Sequence, residues 1–299
     1  MAEAAWHAQD PRRASGLKAW LKAAETAPSH RRGQNFLIAP EVADAIVRLV
    51  PPGDVLEIGP GVGALTLGLL EQGHRVVAIE YDRRLAALLS QWALIYAKPL
   101  TVVVGDAVSL SWRELASQEG LEVPLTIVGN LPYYISAPLL AKLWEDGVSW
   151  GRAVLMLQRE VAERLVAEPG EREAGAISAL VRWVGRPRWV RVVPPHAFYP
   201  QPAVHSAVVT IDRAPSPAAP WWAFRDAVRA GFQFRRKTLR QALARGGRGQ
   251  IGSERAERVL RMAGIDADRR AESLTMAEWI ELAQAIAAEL EGGLEHRGL

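Results

Sequence analysis

The chain has 299 residues, is 49% apolar and carries a formal net charge of +3. It is long enough for one large domain and a smaller one, with a core that can be buried. It contains no cysteine, which excludes disulfides, thiolate metal sites and cysteine nucleophiles. No uncharged apolar run is long enough to cross a bilayer, and "MAEAAWHAQDPRRASG" has no apolar segment of the secretory kind, so a cytoplasmic location is expected.

Residues 1–30 read as a polar, partly helical extension. From Asp54 onward, short β-branched runs alternate with helical patterns. The strands are "DVLEI" (54–58), "RVVAIE" (75–80), "LTVVV" (100–104), "LTIVG" (125–129) and "AVLMLQ" (153–158). Such alternation predicts an α/β fold with a doubly wound, mostly parallel sheet. "RWVRVV" (188–193) and "HSAVVTI" (205–211) follow one another without a helix. They predict an antiparallel edge hairpin that brings the sheet to seven strands. The three prolines of "DRAPSPAAP" mark a linker at 213–220. Beyond it the pattern is all-helical, over 221–246, 253–263 and 275–291, with Thr275 and Glu278 spaced as a capping box. The expected domains are therefore the extension, an α/β domain over 31–212, the linker, and a small helical domain over 221–299.

Three motifs fall at strand ends, where open α/β sheets bind ligands. After the first strand, "LEIGPGVGALT" places Gly59, Gly61 and Gly63 where the backbone turns tightly and a ligand can approach it. The spacing is G-x-G-x-G, with Glu57 two residues ahead, unlike the G-x-G-x-x-G of dinucleotide sites. It resembles the first motif of S-adenosylmethionine-dependent methyltransferases. Glu80 closes the second strand, where a carboxylate can accept both hydroxyls of a ribose, as it also does in NAD folds. Asp106, in "GDA" after the third strand, can accept from an adenine amino group. An NAD oxidoreductase would also want a catalytic His, Tyr or Lys near the nicotinamide, and no such constellation is present.

The loop after the fourth strand is "GNLPYYIS" (129–136). Its residue types suit an exocyclic amine on a nucleobase. The Asn130 side-chain oxygen and the Leu131 carbonyl can accept the amino hydrogens and localise the nitrogen lone pair. Pro132 fixes the backbone that aims them. Tyr133 offers a stacking face, worth about 1–3 kcal/mol. The base must be unstacked to enter. A plain strand-to-helix turn explains Ser136 and Pro138 but not an amide beside two tyrosines.

From Phe224 to Arg248 there are eight arginines and lysines against Asp226 alone, a local charge of +7 in 25 residues. Such clustering suits a polyanion; the alternative is a solvated basic helix face.

"GQNFL" (33–37), "LEIGPGVGALT", "GDA", "GNLPYYIS", "LQREVAERL" (157–165), "FYPQPAVHSAVV" (198–209) and "RRKTLR" (235–240) occur in one order. As a set they resemble the small-subunit ribosomal RNA adenine N6-dimethyltransferases, the kasugamycin-sensitivity enzymes, over about residues 30–290. The resemblance implies a methyltransferase that uses S-adenosylmethionine to dimethylate N6 of two adjacent adenines. These lie in the 3′-terminal hairpin loop of small-subunit RNA, within an immature 30S particle. It implies a monomer with no metal and no membrane. Cofactor contacts fall on Asn35, Leu37, Gly59, Gly61, Glu80, Asp106 and Asn130, and the catalytic loop on Asn130, Leu131, Pro132 and Tyr133. RNA contacts fall on Arg235, Arg236, Lys237, Arg240 and Phe198. His205 and Ala174 depart from the family's usual acid and aromatic. The neighbouring readings are the macrolide-resistance methyltransferase of large-subunit RNA and a non-catalytic nucleic-acid-binding relative.

Overall fold

The computed structural model describes residues 7–29, 33–131, 136–234, 237–246 and 251–295. Five parallel strands run through the first half of the chain: β2 (Val55–Ile58), β3 (Val76–Glu80), β4 (Leu100–Val104), β5 (Leu125–Asn130) and β6 (Trp150–Gln158). β2 and β3 are buried along their whole length, as strands covered on both faces must be. Two later strands, β7 (Gly185–Val193) and β9 (Ser206–Arg213), complete a seven-stranded sheet of order β4-β3-β2-β5-β6-β9-β7. β9 runs antiparallel to β6. The expected hairpin is thus present, with its second strand inserted inside the sheet and its first strand left at the edge.

The strand order reverses at β2. From there the chain moves outward to β3 and β4, then returns to β5 on the other side. That switch point opens a crevice at the carboxyl ends of β2 and β5. A second, two-stranded sheet sits beside it. β1 (Phe36–Leu37) pairs antiparallel with β8 (Phe198–Tyr199), matching Phe36 with Tyr199 and Leu37 with Phe198. Two residues per strand carry no periodic signal, and this pairing joins segments more than 160 residues apart.

The N-terminal extension is a structural part of the α/β unit. In helix α1 (Ala14–Ala23), Leu17 and Trp20 are fully buried. Trp20 packs beside Trp92 of α4 (Arg83–Ile95), and its indole N–H donates to the Gln9 carbonyl at 2.9 Å. Arg12 is bound to Asp10 at 2.9 Å and Asp44 at 3.1 Å, so it holds the protein together rather than facing a nucleic acid. Trp20→Ala should cost about 3–5 kcal/mol, the range for emptying a core aromatic site. Urea unfolding that shifts by under about 1 kcal/mol would mean that the helix is only loosely attached.

By its internal contacts the chain divides into two compact units, residues 1–162 with 186–213, and residues 163–185 with 214–299. The segment 163–185 therefore groups with the C-terminal helices, although it precedes the proline-rich stretch. The reason is aromatic packing. Trp183 of α8 (Ala176–Val184) stacks on Phe224 of α9 (Trp221–Gln233) at 4.1 Å between ring centroids, and Phe224 meets Trp279 edge-on at 6.2 Å. In α12 (Met276–Glu295) the capping box forms as its spacing predicts. The Thr275 amide donates to Glu278 at 2.8 Å, and the Glu278 amide to the Thr275 hydroxyl at 3.3 Å.

The helix expected over 221–246 is two helices. α9 stops at Gln233, and α10 (Leu239–Arg245) starts afresh with Thr238 as its cap. The backbone amides of Leu239 and Arg240 donate instead to Arg269 and Ala267, at 2.7 and 3.1 Å. Phe224, Val228, Leu239 and Leu243 are spaced like one continuous apolar helical stripe and are all buried, which hides this break in the sequence.

Candidate active site

β2 leads into a turn in which Gly59, Gly61 and Gly63 all have positive φ (68°, 59° and 85°). A Cβ at Gly61 would stand 3.1 Å from the Phe36 ring, whereas one at Gly59 would point into open space. Both positions need glycine for conformation, and Gly61 also for closeness. The Gly61 amide donates to Glu80 Oε2 at 2.9 Å, and the Asp82 amide to Oε1 at 2.8 Å. One carboxylate at the end of β3 therefore ties the turn after β2 to the turn after β3. Glu80 is buried, at 6% exposure. Each of its oxygens keeps capacity for a further donor. Burial raises its pKa, and the Asp82 and Gly61 amides oppose that rise. Asp106, beyond β4, accepts from the Val108 amide at 2.9 Å and the Ser109 hydroxyl at 3.1 Å.

Across the switch point, Asn130 ends β5 beside Met156 of β6, and the Leu131 amide donates to the Met156 carbonyl at 3.0 Å. The Asn130 side-chain N–H donates to the Asn35 backbone carbonyl at 3.1 Å. A carbonyl can only accept, so the contact fixes which end of the amide faces Asn35. The Asn130 Oδ1 is thereby kept as an acceptor for something else. The same bond ties "GQNFL" to the end of β5.

These residues line one cavity of about 320 Å³, within the range of small-molecule sites. Asn35, Leu37, Gly59, Gly61, Glu80, Asp106, Asn130 and Leu131 all contribute to its wall. Glu57 joins them, at 1% exposure, with its Oε2 lacking a hydrogen-bond partner among the described residues. Burial pushes its carboxyl up to about 8, against the opposing effect of Thr66 and with a further push from Glu80. The native state then holds a proton that the unfolded chain releases above the ordinary value of 4.5. Stability is therefore lost as pH rises from about 4.5 through about 8. Glu57→Gln should melt with the ligand-free parent at pH 5 and above it at pH 9, by at least about 2–4 °C. Melting curves that superpose at both values would remove the buried charge from the account.

The remaining sites fall differently. Pro132, Tyr133, Arg235 and Arg236 lie outside the described residues. Phe198, expected at the RNA, is in the core at 2% exposure, and the exposed ring of that pair is Tyr199 at 41%. Strand alternation makes the choice: Phe198 turns inward with Leu37, and its neighbour turns out. Arg240 pairs with Glu257 at 3.2 Å and Asp268 at 3.5 Å, so it links elements of the helical unit. Lys237 is exposed and has no ion pair among the described residues. His205 is exposed, and Ala174 is buried. Among the described residues no cluster of His, Asp and Glu is placed to hold a metal ion, and no helix is long and apolar enough to cross a membrane.

A dinucleotide fold would offer the amides of its glycine turn to a pyrophosphate. Here the Gly61 amide is committed to Glu80 instead, and an antiparallel strand is inserted near one end of the sheet. This places the chain among the S-adenosylmethionine-dependent methyltransferases. More narrowly, it belongs to the ribosomal RNA adenine dimethylase family, whose profile matches residues 29–286. It is 43% identical over 265 residues to the ribosomal RNA small subunit methyltransferase A of Anaeromyxobacter dehalogenans, covering 85% of this chain and 92% of that one. It is also 43% identical over 266 residues to the enzyme of that name from Syntrophotalea carbinolica, covering 87% and 97%. Among solved structures it is similar to a dimethyladenosine transferase from Plasmodium falciparum, with a TM-score of 0.70, 24% identity and coverage of 83% and 95%. The 23S rRNA methyltransferase ErmE shares the fold, with a TM-score of 0.63, 23% identity and coverage of 85% and 100%.

The donor set fits the cofactor of that class. S-adenosylmethionine carries ribose hydroxyls that donate and a cationic end. The wall offers a buried carboxylate with spare acceptor capacity at Glu80, and an unpartnered buried carboxyl oxygen at Glu57.

Proposed function

We propose that this chain dimethylates N6 of two adjacent adenines in the 3′-terminal hairpin loop of small-subunit ribosomal RNA. The substrate is an immature 30S particle, and the enzyme acts in the cytoplasm as a monomer. The broader activity, S-adenosylmethionine-dependent dimethylation of adenine in small-subunit ribosomal RNA, follows from the family and the relatives at 43% identity. One observation supports the amine-methylation step of this reading. The Asn130 side chain donates to the Asn35 carbonyl, which leaves its oxygen as an acceptor, and Asn130 lines the cavity that Glu57 and Glu80 also line.

Glu80 takes the ribose hydroxyls, Asp106 the adenine amino group, and Asn35, Leu37, Gly59 and Gly61 close around the nucleoside. The bound donor supplies an electrophilic methyl group on a sulfonium. The N6 lone pair of adenine is delocalised into the ring, so a free adenine is a poor nucleophile. Asn130 Oδ1 and the Leu131 carbonyl accept the two amino hydrogens. That geometry favours a pyramidal nitrogen and aims its lone pair, which is catalysis by orientation and electrostatics. Pro132 stiffens the loop, and Tyr133 stacks on the base. No side chain is needed as a strong base, because the methylated nitrogen is acidic and releases its proton readily. Lys237, with Arg235 and Arg236, gives sequence-neutral phosphate contacts that set register and permit reseating between the two adenines. Arg240 is engaged by Glu257 and Asp268 within the helical unit instead.

The test is incubation of undermethylated small subunits and, in parallel, of unmodified large subunits with isotopically labelled methyl donor, followed by mapping of the labelled nucleotides. Label on two neighbouring adenines near the 3′ end is expected. Label confined to large-subunit RNA, or no label at all, would overturn the reading.

A further inference from the structure

β7 is unlike every other strand of the sheet. Residues Arg188 to Val192 are all exposed, as is Arg186, so both faces of this edge strand meet solvent. Three of the exposed side chains are arginines, and no acid lies on the strand. Arg188 has a distant partner in Asp212, at 3.8 Å. Arg186 and Arg191 have no hydrogen bond or ion pair among the described residues. Between them stands Trp189, 36% exposed, and Val190 and Val192 on either side of Arg191 are 38% exposed each. The indoles of Trp20, Trp112 and Trp150 each donate to a backbone carbonyl. Trp189 has neither such a bond nor an aromatic neighbour among the described residues.

One explanation is protective. Charges and proline on an edge strand prevent pairing with other chains, and Arg186, Pro187, Arg188 and Arg191 do that. Protection does not explain an exposed tryptophan on the same strand as two exposed valines, which by itself favours association. Trp189 and Arg191 share one face of the strand, and Arg186 and Arg188 the other. Exposed cations beside a free aromatic face are the chemistry of a single-stranded nucleic-acid contact, in which arginines follow the phosphates and a ring stacks on a base.

Position within the α/β unit supports the same partner. β7 lies three strands from β5, about 14 Å at ordinary strand spacing, on the side away from the glycine turn. Its last residue, Val193, is followed after four residues by β8, whose Tyr199 is exposed and whose partner strand β1 lines the cavity. A strand of RNA leaving the pocket beyond β5 thus meets Tyr199 and then β7.

We infer that β7 is a second RNA-binding surface, on which Arg186, Arg188 and Arg191 hold the phosphates of the nucleotides flanking the target and Trp189 stacks on one of their bases. This rests on the proposed function, since it takes ribosomal RNA as the polyanion. The test changes the three arginines together to Gln, and separately Trp189→Ala, with binding to undermethylated small subunits measured across salt concentrations. The triple variant should bind at least tenfold more weakly and lose about two units of salt slope. Trp189→Ala should weaken binding several-fold with the slope unchanged. Melting temperature and methyl-donor affinity should match the parent in both. If the triple variant does not fold, Arg191→Gln alone should lower the slope by roughly one unit. Unchanged affinity and slope, with the parent still methylating, would overturn this inference alone. So would a change in self-association or protein binding without a change in RNA binding. A parent that methylates no small-subunit RNA would overturn the functional reading instead.

Discussion

Asn130→Ala should lower single-turnover methylation of small subunits by about 10²–10³-fold, the range for removing one preorganised polar group from a developing charge, while subunit affinity changes by less than about threefold. The reason is differential binding. The oxygen of Asn130 meets the amine more favourably as the nitrogen becomes pyramidal, so its loss falls on the transition state rather than on the bound substrate. The structure adds a second effect. The Asn130 side-chain N–H also holds the Asn35 carbonyl, so the alanine variant loosens "GQNFL" from the loop. Rates must therefore be compared at saturating methyl donor. Asn130→Asp separates the two contributions, because it keeps an oxygen for the amine but sets a second oxygen against the Asn35 carbonyl. If the anchor matters, the aspartate variant will lose methyl-donor affinity as the alanine variant does. Turnover of the alanine variant within threefold of the parent would end the assigned role.

The site was legible in sequence because its chemistry is local to strand ends. Glycines after β2, an acid closing β3, an acid after β4 and an amide closing β5 each sit within a few residues of a readable β-branched run. The parallel topology then brings them to one edge. What sequence did not show depends on long-range pairing. β1 and β8 have two residues each, too few for alternation to register, yet their register decides that Phe198 is buried and Tyr199 exposed. The burial of α1 was hidden for another reason. Leu17, Trp20 and Leu21 are spaced as one helical face, but the arginines, lysines and serine around them make the segment read as polar. The break between α9 and α10 was masked by an apolar stripe that continues through it. Pairing of Arg240 with Glu257 and Asp268 could not be read from charge clustering, since both acids lie beyond the cluster. Exposure of β7 on both faces was equally invisible, because a run rich in valine and tryptophan such as "RWVRVV" reads as a strand whether or not its apolar side chains are covered.

Glu80→Ala should weaken methyl-donor binding by about 2–3 kcal/mol, roughly 30- to 150-fold, as charge-assisted hydrogen bonds to the ribose are lost. The variant also deprives the Gly61 and Asp82 amides of their acceptor, so part of the loss comes from a relaxed glycine turn. Stability should not fall in proportion. The raised pKa of Glu80 means that its surroundings, on balance, disfavour the charge even with two amides donating to it. Removing a buried carboxylate so placed, with Asp82 adding like-charge repulsion, relieves desolvation as well as sacrificing hydrogen bonds. The expected signature is a large loss of affinity with a melting temperature near that of the parent at neutral pH. The pH dependence has the matching sign. A carboxyl whose pKa is raised takes up its proton earlier on acidification, and the protonated form accepts fewer donors. Methyl-donor affinity should therefore begin to fall at a higher pH than an ordinary glutamate would give, and Glu80→Ala should abolish that dependence. Calorimetry across pH decides between the alternatives. A variant with parental affinity, or one that keeps the parent's acid-side loss, would show that the ribose is held by some other group on the cavity wall.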